Sequence, residues 1–151
     1  MIVKDFMKKN VVSISQTTTV LKAAEVMVAN HIGTLPVLDL QEKPVGVIHL
    51  KDLLSLELPD FYHLVADFDF VHDFGAVETT RPAMDELSRL VTTLMKPVLA
   101  IEQGSGLLRA YAIMLKNDLS DLPVTDETGA LAGIISRVDI GVAILSLWAS
   151  R

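Results

Sequence analysis

Two stretches of the chain place a carboxylate just after a β-branched strand: Gly46-Val47-Ile48-His49-Leu50-Lys51-Asp52 and Gly133-Ile134-Ile135-Ser136-Arg137-Val138-Asp139. In each, a glycine opens the strand, a polar side chain ends it, and an aspartate follows three residues later, where a helix can start. Two chemistries suit that corner. The carboxylate can accept from two neighbouring hydroxyls, as on a ribose, or it can serve as a helix N-cap, a role worth about 1 kcal/mol. A second repeated locus, Gly33-Thr34-Leu35-Pro36-Val37 and Asp121-Leu122-Pro123-Val124, puts proline early in a strand. Its missing donor favours a strand edge or a strand start.

A third group of candidates lies between the two corners. His63, Asp67, Asp69, His72 and Asp73 are metal-capable types within one short stretch. Their spacing does not build a metal site. Asp67-x-Asp69 is followed by Val71 at the next alternate position and lacks the glycine of a calcium loop, and the chain has no His-Glu-x-x-His. These side chains read as the polar face of a docked helix. No nucleophile–base pair is legible, so no catalytic residue is assigned and the chain reads as a binding module, not an enzyme. Absence of cysteine excludes disulfides, thiolate zinc sites and cysteine nucleophiles.

The elements that must position the corners come from an internal repeat. Sliding the chain by 87 residues lays 9–52 over 96–139 without a gap, and 15 of those 44 pairs are identical, among them Lys9/Lys96, Met27/Met114, Pro36/Pro123, Gly46/Gly133 and Asp52/Asp139. Each copy reads as a short strand (Val11 to Ile14; Val98 to Ile101) and then a helix, with Val20, Leu21, Ala24, Met27 and Val28, or Leu107, Leu108, Tyr111, Met114 and Leu115, at helical spacing. Thr18 or Thr19 can cap the first helix and Ser105 the second. Two more strands and a final helix complete the order β-α-β-β-α, an α/β (α+β) fold class. A lone unit of roughly 55 residues has a thin core. The two copies are therefore expected to pack face to face with pseudo-twofold symmetry and two related pockets in the cleft.

Charge separates the copies from what joins them. Of 13 Lys/Arg and 19 Asp/Glu in 151 residues, the segment 57–91 holds two and eight, which is the whole net charge of −6. Residues 1–56 and 92–151 are near-neutral copies, and 57–91 is an acidic connector. Half the chain is hydrophobic and about a fifth charged, which excludes a disordered chain.

The ordered pattern Val-x-Ser-Ile…Ala-Ala-x-x-Met…Leu-Pro-Val-x-Asp…Gly-Val-Ile-x-x-x-Asp, literal in the first copy and repeated in the second with Ala100, Tyr111 and Ile134 as replacements, resembles a tandem pair of CBS domains, the family named after cystathionine β-synthase. The resemblance covers nearly everything outside 57–91. It implies a regulatory module that requires no cofactor and binds an adenosyl ligand such as AMP, ADP, ATP or S-adenosylmethionine between the copies. Carried onto this chain, it makes Ser136 and Asp139 the contacts to ribose and phosphate, with Asp52 as the first-copy counterpart. Leu99, Ala100, Ile101, Leu122 and Pro123 would hold the adenine of the second pocket, and Val12 and Leu35 that of a weaker first pocket. Two departures stand out. His49 replaces the family's Ser/Thr, and Thr34 and Asp121 stand where phosphate-binding members place Arg or His. A carboxylate beside a polyphosphate opposes it, even with Arg137 and Lys51 to compensate. One competent site is expected, favouring AMP, adenosine-like compounds or S-adenosylmethionine over ATP.

Two helices remain. In the connector, Phe61, Leu64, Val65 and Phe68 fit one helical face. Thr80 can cap a second helix with Pro82 in its first turn and Met84, Leu87, Val91 and Leu94 on one side. The last helix, Ile140 to Ala149, is apolar nearly all round, which suits either burial on several sides or a homodimer anchored by Trp148. With no effector domain in the sequence, output would pass to a separate effector protein. The alternative is a ligand-free scaffold using the acidic connector. The balance of charge is wrong for nucleic acid, no apolar run reaches the ~20 residues of a membrane span, and the start lacks signal-peptide features. A cytoplasmic location is expected.

Overall fold

The computed structural model describes residues 1–56 and 81–150. The expected elements and metal-capable side chains of 57–80 lie outside the described residues, Thr80 included.

Each copy folds as β-α-β-β-α. The first comprises β1 (Ile14–Ser15), α1 (Val20–Asn30), β2 (Thr34–Leu38), β3 (Pro44–His49) and α2 (Leu50–Leu54). After the one-turn α3 (Met84–Leu87) come β4 (Ile101–Glu102), α4 (Leu107–Lys116), β5 (Asp121–Thr125), β6 (Leu131–Ser136) and α5 (Arg137–Ala149). Each sheet has three strands, β1-β2-β3 and β4-β5-β6, with a parallel first pair and an antiparallel second pair. The opening strands are two residues each, shorter than the apolar runs predict.

The repeat extends to backbone conformations that the residue types hide. His31 and Asp118 both close the first helix of their copy with a left-handed backbone, and Glu42 and Gly129 do the same in the hairpin turns. The identical Asp39 and Asp126 build those turns, each side-chain oxygen accepting from backbone N–H groups two and four residues on.

The copies are joined by an exchange of lead-in segments. Lys8 pairs with Ile134 of β6 through two backbone hydrogen bonds of 2.9 Å, and Lys96 pairs with Val47 of β3 through bonds of 2.9 and 3.0 Å. The exchange carries side chains with it. Val3, at 0% exposure, completes the core built from Leu107, Met114, Leu122, Ile135 and Ile140 of the second copy, and Val91 completes the first copy's core of Met27, Leu35, Val37 and Ile48. Because Lys8, not Lys9, is the counterpart of Lys96, the gapless alignment slips by one residue ahead of the first strand.

Three helical expectations change. Thr19 caps α1, accepting from Lys22 N–H at 3.2 Å, but Gly106, not Ser105, precedes α4 and no side chain caps that helix. The connector's second helix is a single turn with Ala83 at its N-cap; Leu87 and Val91 are buried, while Met84 is exposed. The chain turns after Leu87 and re-forms as a 3-10 turn at Val91–Thr93, so the four expected residues do not share one face. Finally, α5 buries only Ile140 and Ala143, so the core takes up one narrow side of it.

At each crossing the lead-in runs over a glycine. A Cβ on Gly133 would lie 2.6 Å from Met7 Sδ and 2.7 Å from the Lys8 carbonyl oxygen. One on Gly46 would lie 2.5 Å from Met95 Sδ but 3.2 Å from the Lys96 oxygen. A thioether can swing aside, whereas a paired backbone carbonyl cannot. Gly133→Ala is therefore expected to cost about 1–3 kcal/mol by urea denaturation, and Gly46→Ala clearly less; equal costs would contradict the crossing geometry.

Candidate functional site

Strand alternation decides which repeated residues face the space between the copies. Leu35, Val37 and Ile48 point into the first core, and Leu122, Val124 and Ile135 into the second. Their neighbours Thr34, Val47 and His49, together with Asp121 and Pro123, line a cavity of about 320 Å³ at the junction. Lys51 from α2, Lys96, Pro97 and Leu99 from the second lead-in, and Asn117 and Leu119 from the turn after α4 complete its wall.

The expected site residues divide accordingly. Thr34, His49 and Lys51, assigned to the weaker pocket, share one cavity with Leu99 and Pro123, assigned to the other. The lead-in exchange is the cause, since it delivers the second copy's segment to the first copy's corner. Leu35, Ile101 and Leu122 are buried in core, and Val12 packs against the first core. Ala100, Ser136 and Asp139 do not line this cavity, nor does Asp52. Lys96, Pro97, Asn117 and Leu119 escaped the sequence reading, because nothing local marks a lead-in as belonging to the other copy.

Both corner aspartates sit at the third helical position, not at the N-cap. Asp139 Oδ2 accepts from Ser136 N–H at 2.9 Å while Ser136 Oγ accepts from Asp139 N–H at 3.0 Å, a complete capping box. Lys8 Nζ approaches Asp139 Oδ1 at 3.9 Å. In the first copy Asp52, only 7% exposed, accepts from His49 N–H at 2.9 Å. The imidazole Nδ1 lies 3.5 Å from Asp52 Oδ2, is itself buried, and has no hydrogen-bond partner among the described residues. Arg137 is committed elsewhere: Nε donates to Leu119 O at 2.7 Å and Nη2 to Met114 O at 3.3 Å, tying the end of α4.

Asp121 stands where the copies meet. It pairs in register with Ser136 across β5–β6, just as Thr34 pairs with His49 across β2–β3. Burial raises its pKa above the ordinary 3.8, with the Thr34 hydroxyl and the charges of His49 and Lys8 pulling the other way.

The paired three-stranded βαββα fold is matched in known proteins. The family model for the CBS domain matches residues 3–58 and 88–146. The chain belongs to the CBS-domain family. A CBS domain-containing protein of Dictyostelium discoideum is 30% identical over 92% of this chain and 88% of its own. The chloroplastic CBS domain-containing protein CBSX1 of Arabidopsis thaliana is 33% identical over 93% of this chain, which spans 61% of that protein's length. Among solved structures, the CBS-pair protein CBSX2 from Arabidopsis thaliana superposes with a TM-score of 0.76 at 27% identity, covering 99% of this chain and 98% of that one. A crystal structure of CBSX2 in complex with AMP gives a TM-score of 0.73 at 28% identity, over 97% and 98% of the two chains. The CBS pair expected from the repeated motifs is therefore the fold of the chain.

The raised pKa of Asp121 has a signed consequence. The folded chain holds this proton more tightly than the unfolded one, so the residue's contribution to stability falls as pH rises from 3.8 through the folded-state value. Asp121→Asn removes that decline. The melting temperature of the variant relative to the unsubstituted chain should rise as the pH is raised above 3.8, and a difference independent of pH would contradict the assignment.

Proposed function

We propose that this CBS pair is a regulatory module, without catalytic activity of its own, that binds an adenosyl ligand and reports it to a partner protein. The cavity carries this reading, because its wall is built from both copies: His49 and Lys51 on one side, Lys96, Pro97 and Asp121 on the other. A ligand touching both can favour one arrangement of the copies over another, and only such a difference in affinity produces a signal. At about 320 Å³ the cavity lies at the small end of ligand pockets, which suits a nucleoside with a short tail. Asp121 opposes a triphosphate, since like charges near 4 Å repel by about 4 kcal/mol at an intermediate effective dielectric. AMP bound to the related CBSX2 supports the adenosyl class.

At the second corner, outside this cavity, we keep Ser136 and Asp139 as ribose contacts of a separate site. Asp52, more deeply buried and held to its own corner by His49, contributes by fixing the cavity wall. Among the described residues no helix is long and apolar enough to cross a membrane. The cytoplasmic location belongs to this proposal, a chloroplastic relative notwithstanding.

The module reading includes a homodimer. Val138, Val142, Leu145 and Trp148 recur along one side of α5 and are 71, 61, 50 and 69% exposed. A continuous apolar stripe of this kind marks an interaction face, and a second copy of the same stripe is its simplest complement.

Two experiments test these readings. Adenosine, AMP and S-adenosylmethionine at about 100 times their dissociation constants should each add about 2.7 kcal/mol of stability, seen as a rise of several degrees in thermal melting. ATP at equal concentration should give markedly less, and no shift with any adenosyl compound up to millimolar would overturn the ligand reading. By light scattering at micromolar concentration the chain should show twice its monomer mass, and Val142→Glu with Trp148→Glu should halve it. A monomeric unsubstituted chain would remove the dimer.

A further inference from the structure

His49 ends β3 where the copies meet and lines the cavity. Its side chain is only 19% exposed, and Nδ1 is buried without a hydrogen-bond partner among the described residues. Asp52 Oδ2 lies 3.5 Å from that nitrogen, at the outer limit of a hydrogen bond. A neutral imidazole gains little across such a gap, whereas an imidazolium is attracted across it. Charged groups surround the ring from the elements packed about the cavity. Asp52 and Lys51 come from α2, Asp121 from β5 and Lys96 from the second lead-in, while β2 and the turn after α4 add the neutral Thr34 and Asn117. Lys8 and Asp139 act from farther off, through their charges on Asp121.

We infer that His49 makes occupancy of this cavity depend on pH: in its protonated form it holds the phosphate of an adenosyl monophosphate, so that nucleotide and proton bind together. The inference rests on the module reading above and adds a regulation of the same site. Lys51 and Lys96 line the cavity, and among the described residues neither ammonium group has a carboxylate within 4.0 Å. Asp121 sets a negative charge against any phosphate that enters beside them. A third positive charge at His49 shifts that balance, and it is present only when the ring is protonated. Linkage fixes the sign. A phosphate that stabilises the imidazolium must itself bind more tightly where protons are abundant, whereas an uncharged nucleoside has no such preference. The repeat supplies a matching corner that does not titrate. Ser136, at the equivalent place in the second copy, closes its capping box with a hydroxyl, so the fold of the corner does not require an imidazole.

Calorimetric titration of the full chain with AMP and with adenosine, between about pH 6.5 and about pH 8, separates the contributions, because imidazoles change charge in this range. The preference for AMP over adenosine should grow about fivefold or more as the pH is lowered across it. His49→Ser and His49→Gln both remove the titrating ring, the first by copying the second corner and the second at similar size. In both variants that growth should fall below about twofold. AMP carries a titrating phosphate of its own, which all three chains meet alike, so the difference between them belongs to His49. Repeating the AMP titration in two buffers of unlike ionisation heat counts the protons directly, and the unsubstituted chain should take up more than either variant.

A preference for AMP that stays constant or shrinks as the pH is lowered would overturn the inference without recourse to any variant. A pH dependence that survives in both variants would do the same, as would adenosine binding where AMP does not. In those cases the module reading stands. Binding of no adenosyl compound at any of these pH values would overturn both.

Discussion

Everything in this molecule depends on a pair of backbone crossings. At each one a lead-in segment passes over a glycine of the other copy's third strand and hydrogen-bonds to the residue that follows it, Lys8 to Ile134 and Lys96 to Val47. The crossing crowds the strand at both glycines, but a Cβ would run into a backbone carbonyl, that of Lys8, only at Gly133, whereas at Gly46 it would press chiefly on the Met95 thioether. Past the crossing, Val3 and Val91 seal cores that belong to the other half of the sequence. The ligand cavity is a by-product of the same geometry, since the strand that has just crossed supplies Lys96, Pro97 and Leu99 to its wall.

The sequence carries the architecture of each copy plainly because that architecture is local. Helical spacing in Val20–Val28, the Asp39 and Asp126 turns, and the repeated glycines all act over a few residues, and duplication makes each signal visible twice. What the sequence conceals is which copy a segment joins, because exchange is a relation between distant strands with no marker in the residues that take part. The expected pockets therefore mixed residues from two corners. The parity of the strands was within reach: Leu122 and Pro123 cannot face the same side of β5, and only the second lines the cavity.

Two kinds of polar residue at the junction have opposite energetic character. Asp139 is satisfied by its capping box and stabilises the start of α5 whether or not anything is bound. Asp121 gains no comparable network; its carboxylate is desolvated beside a cavity, and the buried His49 Nδ1 nearby lacks a hydrogen-bond partner among the described residues. Polar groups held at a cost in a concave place are the ones a ligand can relieve. A corner motif is thus a better guide to helix geometry than to binding, and the less conspicuous residue at the start of β5 is the more informative one.

The exchanged lead-ins also bear on how such a pair could be put together. Two separate chains, each one copy with its lead-in, would offer each other the same hydrogen bonds and the same sealing valines. The assembled object would be a swapped dimer of single units. Joining the units in one chain replaces an association that depends on concentration with one that happens within the molecule, at an effective concentration set by the connector alone. It also frees the halves to diverge: once both lie on one chain, His49 and Ser136, or Thr34 and Asp121, no longer have to be alike, and the two corners can take on different tasks.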